Sequence, residues 1–352
     1  MRKLFLILYF SVSAMVLFGQ GQQWSEEKAA NWYKSQPWFC GINYIPSDAI
    51  NYTAMWDKTS YNQKLIDKEL ALAQSIGMNC ARVVLQYAVY ADDPKYFLKT
   101  FDNFLSICDK HGIKVMPAFF DDCSFGANND PIIGKQPEPL IGWYAWAWSP
   151  SPGHTMVIDV RTHPLLEKYV KDVVSKFKND TRIFAWDLYN EPTNSNLKER
   201  SLPLVKSVIA WTREINPVQP LTIAAWNENK ELNDIIFANS DIITFHCYNT
   251  KEETAAYIKR LRVHNRPIIC TEWMNRPRKS TIEDILPLFK EQNVGNILWG
   301  LVNGKTQTEL PWGFRPEKLP YTGVWQHDLY TKEFSPYKQE EISLIKKLAQ
   351  KE

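Results

Sequence analysis

The sequence predicts an α/β protein, a (β/α)8 TIM barrel built as a single domain. Three observations carry that expectation. Eight short apolar runs recur along the chain, stretches with helical spacing separate them, and two of the runs carry a glutamate at or just past their C-terminal end. Eight strands, each followed by a helix, are the element count of this barrel. Nearly continuous apolar strands belong to a parallel sheet that helices cover from outside. An open doubly wound sheet is the competing architecture, but no Gly-x-Gly-x-x-Gly follows the first run.

In order, the runs are WFCGINY (38–44), NCARVVL (79–85), IKVMPAFF (113–120), IFAWDLY (183–189), LTIAAW (221–226), DIITFHCY (241–248), PIICTEW (267–273) and NILWGLV (296–302). Helical stripes lie between them at i, i+3, i+4 and i+7. Phe97, Phe101, Phe104, Leu105 and Cys108 form one. Leu166, Val170, Val173, Val174 and Phe177 form a second, and Ile282, Ile285, Leu286 and Phe289 a third. Ile342, Ile345 and Leu348 mark the closing helix, after Pro336. Gly77 and Gly112 stand where helix C-caps are expected. Two connections are abnormally long: 121–162 after the third strand, holding Trp143, Trp146 and Trp148, and 303–335 after the eighth. Loops of that length are usually functional.

The first 21 residues read as a cleaved export signal. Arg2 and Lys3 precede an apolar run from Leu4 to Phe18, and Gly19 and Gly21 offer a small-x-small cleavage site. The run is shorter than the roughly 20 residues of a spanning helix. The expectation is a secreted or periplasmic barrel over 22–352 with no membrane span. An even count of six cysteines suits disulfides, yet Cys40, Cys80, Cys247 and Cys270 sit inside apolar runs. A chain this long needs no staples, so free buried thiols are expected. A net charge of +2 gives no reason to expect nucleic acid, and a monomer is expected. The 14 Trp and 16 Tyr suit sugar platforms as well as core filling.

Polar residues at the C-terminal ends of barrel strands point into the active site. Here those ends carry Asn43 and Tyr44, Arg82, Asp121 and Asp122, Asn190 and Glu191, Trp226, His246 and Tyr248, Glu272, and Trp299. Carboxylates on the fourth and seventh strands form the pair that glycoside hydrolysis requires, one protonated and one ionised. Asn190 would read the sugar 2-hydroxyl, and Tyr248 and Arg82 would hold Glu272 ionised. His246 would orient Glu191 or bind substrate. Trp299 would form the floor under the sugar, with Trp226 and Trp148 as further platforms and Asp121 and Asp122 as sugar contacts. His-Glu-x-x-His and other metal spacings are absent, which leaves a mechanism without metal or cofactor.

WDLYNEP (186–192) and ICTEW (269–273), with the interposed HCY (246–248), resemble the motifs of clan A glycoside hydrolases, family 5 and its relatives in particular. The resemblance runs from about Phe39 to Val302. It implies Glu191 as general acid/base and Glu272 as nucleophile, with Arg82, His246, Tyr248 and Trp299 in support. Asp121 and Asp122 depart from the clan, many of whose members carry aromatic or His residues there. The expected activity is retaining β-glycosidase action on a polysaccharide or oligosaccharide. A carbohydrate-binding protein on an inactive barrel and a transglycosylase are the alternatives. The two aromatic-rich loops favour a walled pocket and exo-action.

Overall fold

All strand residues except Lys114 are buried, as a sheet sandwiched between outer helices and a filled interior requires. The computed structural model describes residues 21–125, 128–317 and 321–349. Apart from Gly21, the expected signal segment lies outside the described residues. Nine short parallel strands make the sheet. They are β1 Cys40–Asn43, β2 Cys80–Val84, β3 Lys114–Ala118, β4 Trp186–Asp187, β5 Leu221–Thr222, β6 Ala224–Ala225, β7 Ile243–His246, β8 Ile268–Glu272 and β9 Gly295–Trp299. Their order is β5-β4-β3-β2-β1-β9-β8-β7-β6. The two ends of that list are halves of one segment, split at Ile223, with β5 pairing to β4 and β6 to β7. The sheet therefore closes on itself, and the fold is a (β/α)8 TIM barrel with the fifth strand broken.

The fourth strand is shorter than its apolar run. Only Trp186–Asp187 pair as strand, with isolated bridges at Ile183 and Asn190. One cause is visible in Asp187, whose carboxylate accepts from the Tyr189 amide at 3.3 Å and so competes for a ladder donor. The helical stripes fold as expected. They become Pro94–Lys110, His163–Phe177, Ile282–Glu291 and Gln339–Ala349, each with its apolar face inward. Gly77 and Gly112 follow helices at φ +87° and +66°, the left-handed C-cap position.

Inside the barrel the lower layer is apolar. Phe39, Cys80, Met116, Phe184, Ile242, Ile269 and Ile297 pack there, and Trp32 and Tyr33 of helix Glu26–Lys34 close the N-terminal mouth over them. With one end plugged, the polar strand ends at the other mouth are where solvent and ligand enter. A register shift shapes that mouth. Phe245 pairs with Cys270, but His246 pairs with Glu272, so β8 carries one extra residue, Thr271. Such bulges re-aim side chains beside active sites, and this one brings Glu272 opposite His246. All six cysteines are buried and free. No helix among the described residues is long and apolar enough to cross a membrane.

Candidate active site

Arg82 on β2 is the hub of the mouth. Its guanidinium has five N–H donors, and each has a partner. Nε and Nη2 donate to Asp187 Oδ2 at 2.8 and 2.6 Å, and Nη2 also to Asn190 Oδ1 at 2.6 Å. Nη1 donates to Asn43 Oδ1 and to Glu272 Oε1, both at 2.9 Å. The side chain is 1% exposed. A cation so placed fixes four residues from three other strands at once.

Glu272 ends β8. Tyr248 donates its hydroxyl to Oε2 at 2.7 Å, while Arg82 holds Oε1. Burial raises the carboxyl pKa, but the charges of His246 and Arg82 and hydrogen bonds from Tyr248 and Trp299 outweigh it. Its pKa therefore lies below the ordinary carboxylate value. Glu272 is held ionised.

Glu191 is built differently. It lies just past β4 at φ +43°, in the left-handed region. His246 Nδ1 is 2.8 Å from Oε1, and Asn194 Nδ2 donates to Oε2 at 2.6 Å. Among the described residues no Lys or Arg pairs with it, and at 12% exposure it is the more open of the two carboxylates. His246 Nδ1 also comes within 3.5 Å of Glu272 Oε2. An oxygen of Glu191 and one of Glu272 lie within 4.8 Å of each other.

Both glutamates line a cavity of about 670 Å³, inside the ~300–1,000 Å³ range of small-molecule sites. Asn190, His246, Tyr248, Trp148, Trp226 and Trp299 line it too, with Phe125, Tyr144 and Trp312 from the two long loops. Trp148 and Trp299 meet edge to face, 5.8 Å between centroids at 61°.

The sequence model of the cellulase family, glycosyl hydrolase family 5, matches residues 46–305. This chain belongs to glycosyl hydrolase family 5. No curated protein is similar to it by sequence. Among solved structures, the barrel is similar to a family 5, subfamily 18 protein from Streptomyces cattleya in complex with Manβ1-4GlcNAc. That match has a TM-score of 0.61 at 12% identity, over 89% of this chain and 80% of the other. An endo-β-1,4-mannanase from Thermotoga petrophila matches with TM-score 0.58 and 14% identity, over 90% and 77%. An exo-β-1,4-mannosidase from Opitutaceae bacterium strain TAV5 matches with TM-score 0.61 and 16% identity, over 89% and 59%.

In this family 5 barrel the residues expected at the mouth do not all face the cavity. Glu191, Glu272, Asn190, His246, Tyr248, Trp148, Trp226 and Trp299 line it, and Arg82 lies beneath. Asp121 and Asp122 do not line it, and both are fully buried. Asp121 accepts from Asn190 Nδ2 at 2.7 Å and from Trp148 Nε1 at 3.4 Å. Burial pushes its pKa up to about 6, against hydrogen bonds from Asn190 and Cys123. Asp122 faces the other way and accepts from Tyr189, the Thr193 amide and Ser201. It anchors the loop that carries Glu191. Of the three loop tryptophans only Trp148 reaches the cavity. Trp146 instead donates to Glu138 O at 3.0 Å, and Arg315 lies 4.4 Å above the Trp143 ring.

Several lining or supporting residues escape the strand-end rule. Asp187 was legible as a carboxylate inside an apolar run. Asn194 and Cys123 lie beyond strand ends and carried no signal. Glu191, His246 and Glu272 also have the residue types of a metal site. They do not fit one, because both Glu272 oxygens already accept from Arg82 and Tyr248 and His246 Nδ1 is engaged with Glu191. A divalent ion would also compete with a guanidinium 2.9 Å from the same carboxylate.

Proposed function

We propose that this family 5 glycoside hydrolase is a retaining β-glycosidase working by double displacement. The observation that carries the reading is the unlike pair of glutamates with oxygens within 4.8 Å. Retaining enzymes hold their carboxyl groups about 5–5.5 Å apart, whereas inverting ones leave ~6.5–9.5 Å for a water. Glu272, ionised by Arg82 and Tyr248, attacks the anomeric carbon from one face of the sugar. Glu191 gives its proton to the leaving glycosidic oxygen and then takes one from the water that releases the glycosyl-enzyme. His246, touching both carboxylates, keeps Glu191 aimed between these steps. Asn190 has its amide oxygen fixed by Arg82 and one N–H by Asp121. Its other N–H meets only a weak acceptor, Cys123 Sγ at 3.6 Å, and suits the sugar 2-hydroxyl. Trp299, braced by Trp148, is the floor.

A cavity of this size, walled by Phe125, Tyr144 and Trp312 from two long loops, suits chain ends or short oligosaccharides better than a polymer lying across it. β-1,4-Mannosides are the first substrates to try, because the similar structures include a mannosidase, a mannanase and a Manβ1-4GlcNAc complex. Proton NMR of the first product from a β-glycoside tests the mechanism. The β-anomer is expected first, and initial release of the α-anomer refutes double displacement.

A further inference from the structure

The mechanism above leaves one oxygen of Glu191 unexplained. Oε1 belongs to His246. Oε2 points into a small cradle made by two side chains from different loops. Asn194 Nδ2 donates to it at 2.6 Å, and Cys123 Sγ stands 3.3 Å away. The two are themselves in contact, Asn194 Nδ2 donating to Cys123 Sγ at 3.3 Å, and Asn190 Nδ2 reaches the same sulfur at 3.6 Å. Cys123 is 4% exposed and lines the cavity wall. Burial and the nearby carboxylates of Asp121, Glu191 and Glu272 raise its thiol well above the ordinary value, so it stays S–H.

We infer that Cys123 and Asn194 are positioning residues for Glu191, tuned to its two roles. The inference rests on the reading of Glu191 as acid/base. An amide N–H only donates, so Asn194 holds Oε2 by one lone pair in either state. A thiol is both weak donor and weak acceptor. Cys123 donates S–H to the carboxylate when Glu191 is the base; when Glu191 is the acid, the thiol accepts an O–H on Oε2 only weakly, and that O–H turns from Sγ to the glycosidic oxygen as the proton is delivered. The thiol thus serves both protonation states without moving a backbone atom.

The backbone supports the same assignment. Glu191, Thr193, Ser195, Asn196 and Lys198 all have positive φ, at 43°, 79°, 49°, 66° and 52°. Non-glycine residues hold such conformations only where their surroundings over-determine them. The ties run to the Cys123 loop. Thr193 N donates to Asp122 Oδ2 and Ser124 N to Ser195 Oγ, each at 2.8 Å. The segment 121–124 therefore grips the turn that presents Glu191 and Asn194, with Cys123 at the point of contact.

Steady-state kinetics of Cys123→Ala, Cys123→Ser and Asn194→Ala test this. The substrates are a disaccharide and the 2,4-dinitrophenyl glycoside of the same β-linked sugar, chosen by wild-type turnover. On the disaccharide, kcat/KM should fall about tenfold in both Ala variants, a part of the ~10²–10⁴ that general acid–base catalysis supplies. The dinitrophenyl leaving group needs no proton, so kcat/KM there should stay within about twofold while kcat and KM fall together, because only release of the glycosyl-enzyme is slowed. Cys123→Ser, which keeps a two-way hydroxyl, should recover most of the disaccharide rate. Equal losses of kcat/KM on both substrates, or none on either, overturn the assignment, as does a folded Ser variant no better than Ala. Should Cys123→Ala fail to fold, Cys123→Val and Asn194→Ala carry the same comparison. Glu191→Gln belongs in the panel: if it lacks this leaving-group signature, the acid/base reading itself fails. If it shows the signature and the others do not, only the cradle fails.

Discussion

Replacing Arg82 by Met should destabilise the barrel and disable the site together, with a pH dependence that separates charge from packing. The guanidinium bridges two buried carboxylates, Asp187 and Glu272, and two amide oxygens, on Asn43 and Asn190. Removing one partner of a buried ion pair costs about 3–5 kcal/mol, because the other charge remains buried and unpaired. A domain has only about 5–15 kcal/mol in total, so the variant should fold but melt early. Relief comes from protonation. Burial already holds Asp187 above the ordinary carboxylate range with Arg82 present, and without Arg82 both carboxyls would take up protons. The sign follows. In the wild type, Glu272 has its folded pKa below the ordinary 4.5, so its contribution is present above that value and lost as pH falls through the folded one. In the variant the folded pKa lies above the ordinary value, which penalises folding at neutral pH. The gap between the two proteins should therefore be widest near pH 7 and narrow toward pH 4. Urea unfolding at both pH values measures it, alongside turnover, which should drop as Glu272, the proposed nucleophile, takes up a proton. An equal gap at the two pH values, or a loss under about 1 kcal/mol, would refute Arg82 as the electrostatic keystone.

Glu191→Gln and Glu272→Gln should each cut hydrolysis of an unactivated glycoside by about 10³-fold or more with unfolding midpoints near wild type, and wild-type turnover in either sinks its assignment. Asp122→Asn addresses the loop anchor: burial pushes Asp122 up to about 7 despite its hydrogen bonds, so the folded state keeps a proton that the unfolded state releases, and wild-type stability should lose ground from pH 3.8 to about 7. The Asn variant should lack that slope; if unfolding free energies show the slope unchanged, Asp122 is not its source. Exo-action predicts slow viscosity loss relative to reducing-end release on the preferred polymer, and a rapid viscosity drop at low release would mean internal cutting.

Periodicity made the barrel legible because its signal repeats eight times, and each strand is buried on both faces. Both glutamates were legible for a related reason: a charged residue closing an apolar run has no structural business there. What stayed hidden depends on contacts between loops. Cys123 and Asn194 are 71 residues apart and meet only because Asp122 and Ser124 hold the turn at 191–198. Nor do the loop tryptophans announce which of them reaches the cavity. Trp148 is nearest the second arm of its loop, where Ser151 pairs with Asp121 at the strand end. Trp143 and Trp146 lie farther out and find partners in Arg315 and Glu138.

The strand-end rule erred at Asp121 and Asp122 for a reason that explains its success elsewhere. Adjacent side chains on an extended strand point to opposite faces, so two consecutive polar residues cannot both face the mouth unless the backbone breaks. At 121–122 it does not break: Asp121 turns toward Asn190 and Asp122 toward Tyr189 and Ser201. After β4 it does break. Asn190 stays on the inner face beside Arg82, and the left-handed φ of 43° at Glu191 swings the next side chain back toward the cavity. The seventh strand of the barrel solves the same problem with its bulge, which spends Thr271 so that Glu272 can face His246. Both glutamates thus owe their aim to a local violation of strand geometry, one in torsion and one in register. Both violations lie at the barrel mouth, where side-chain direction matters more than an unbroken ladder.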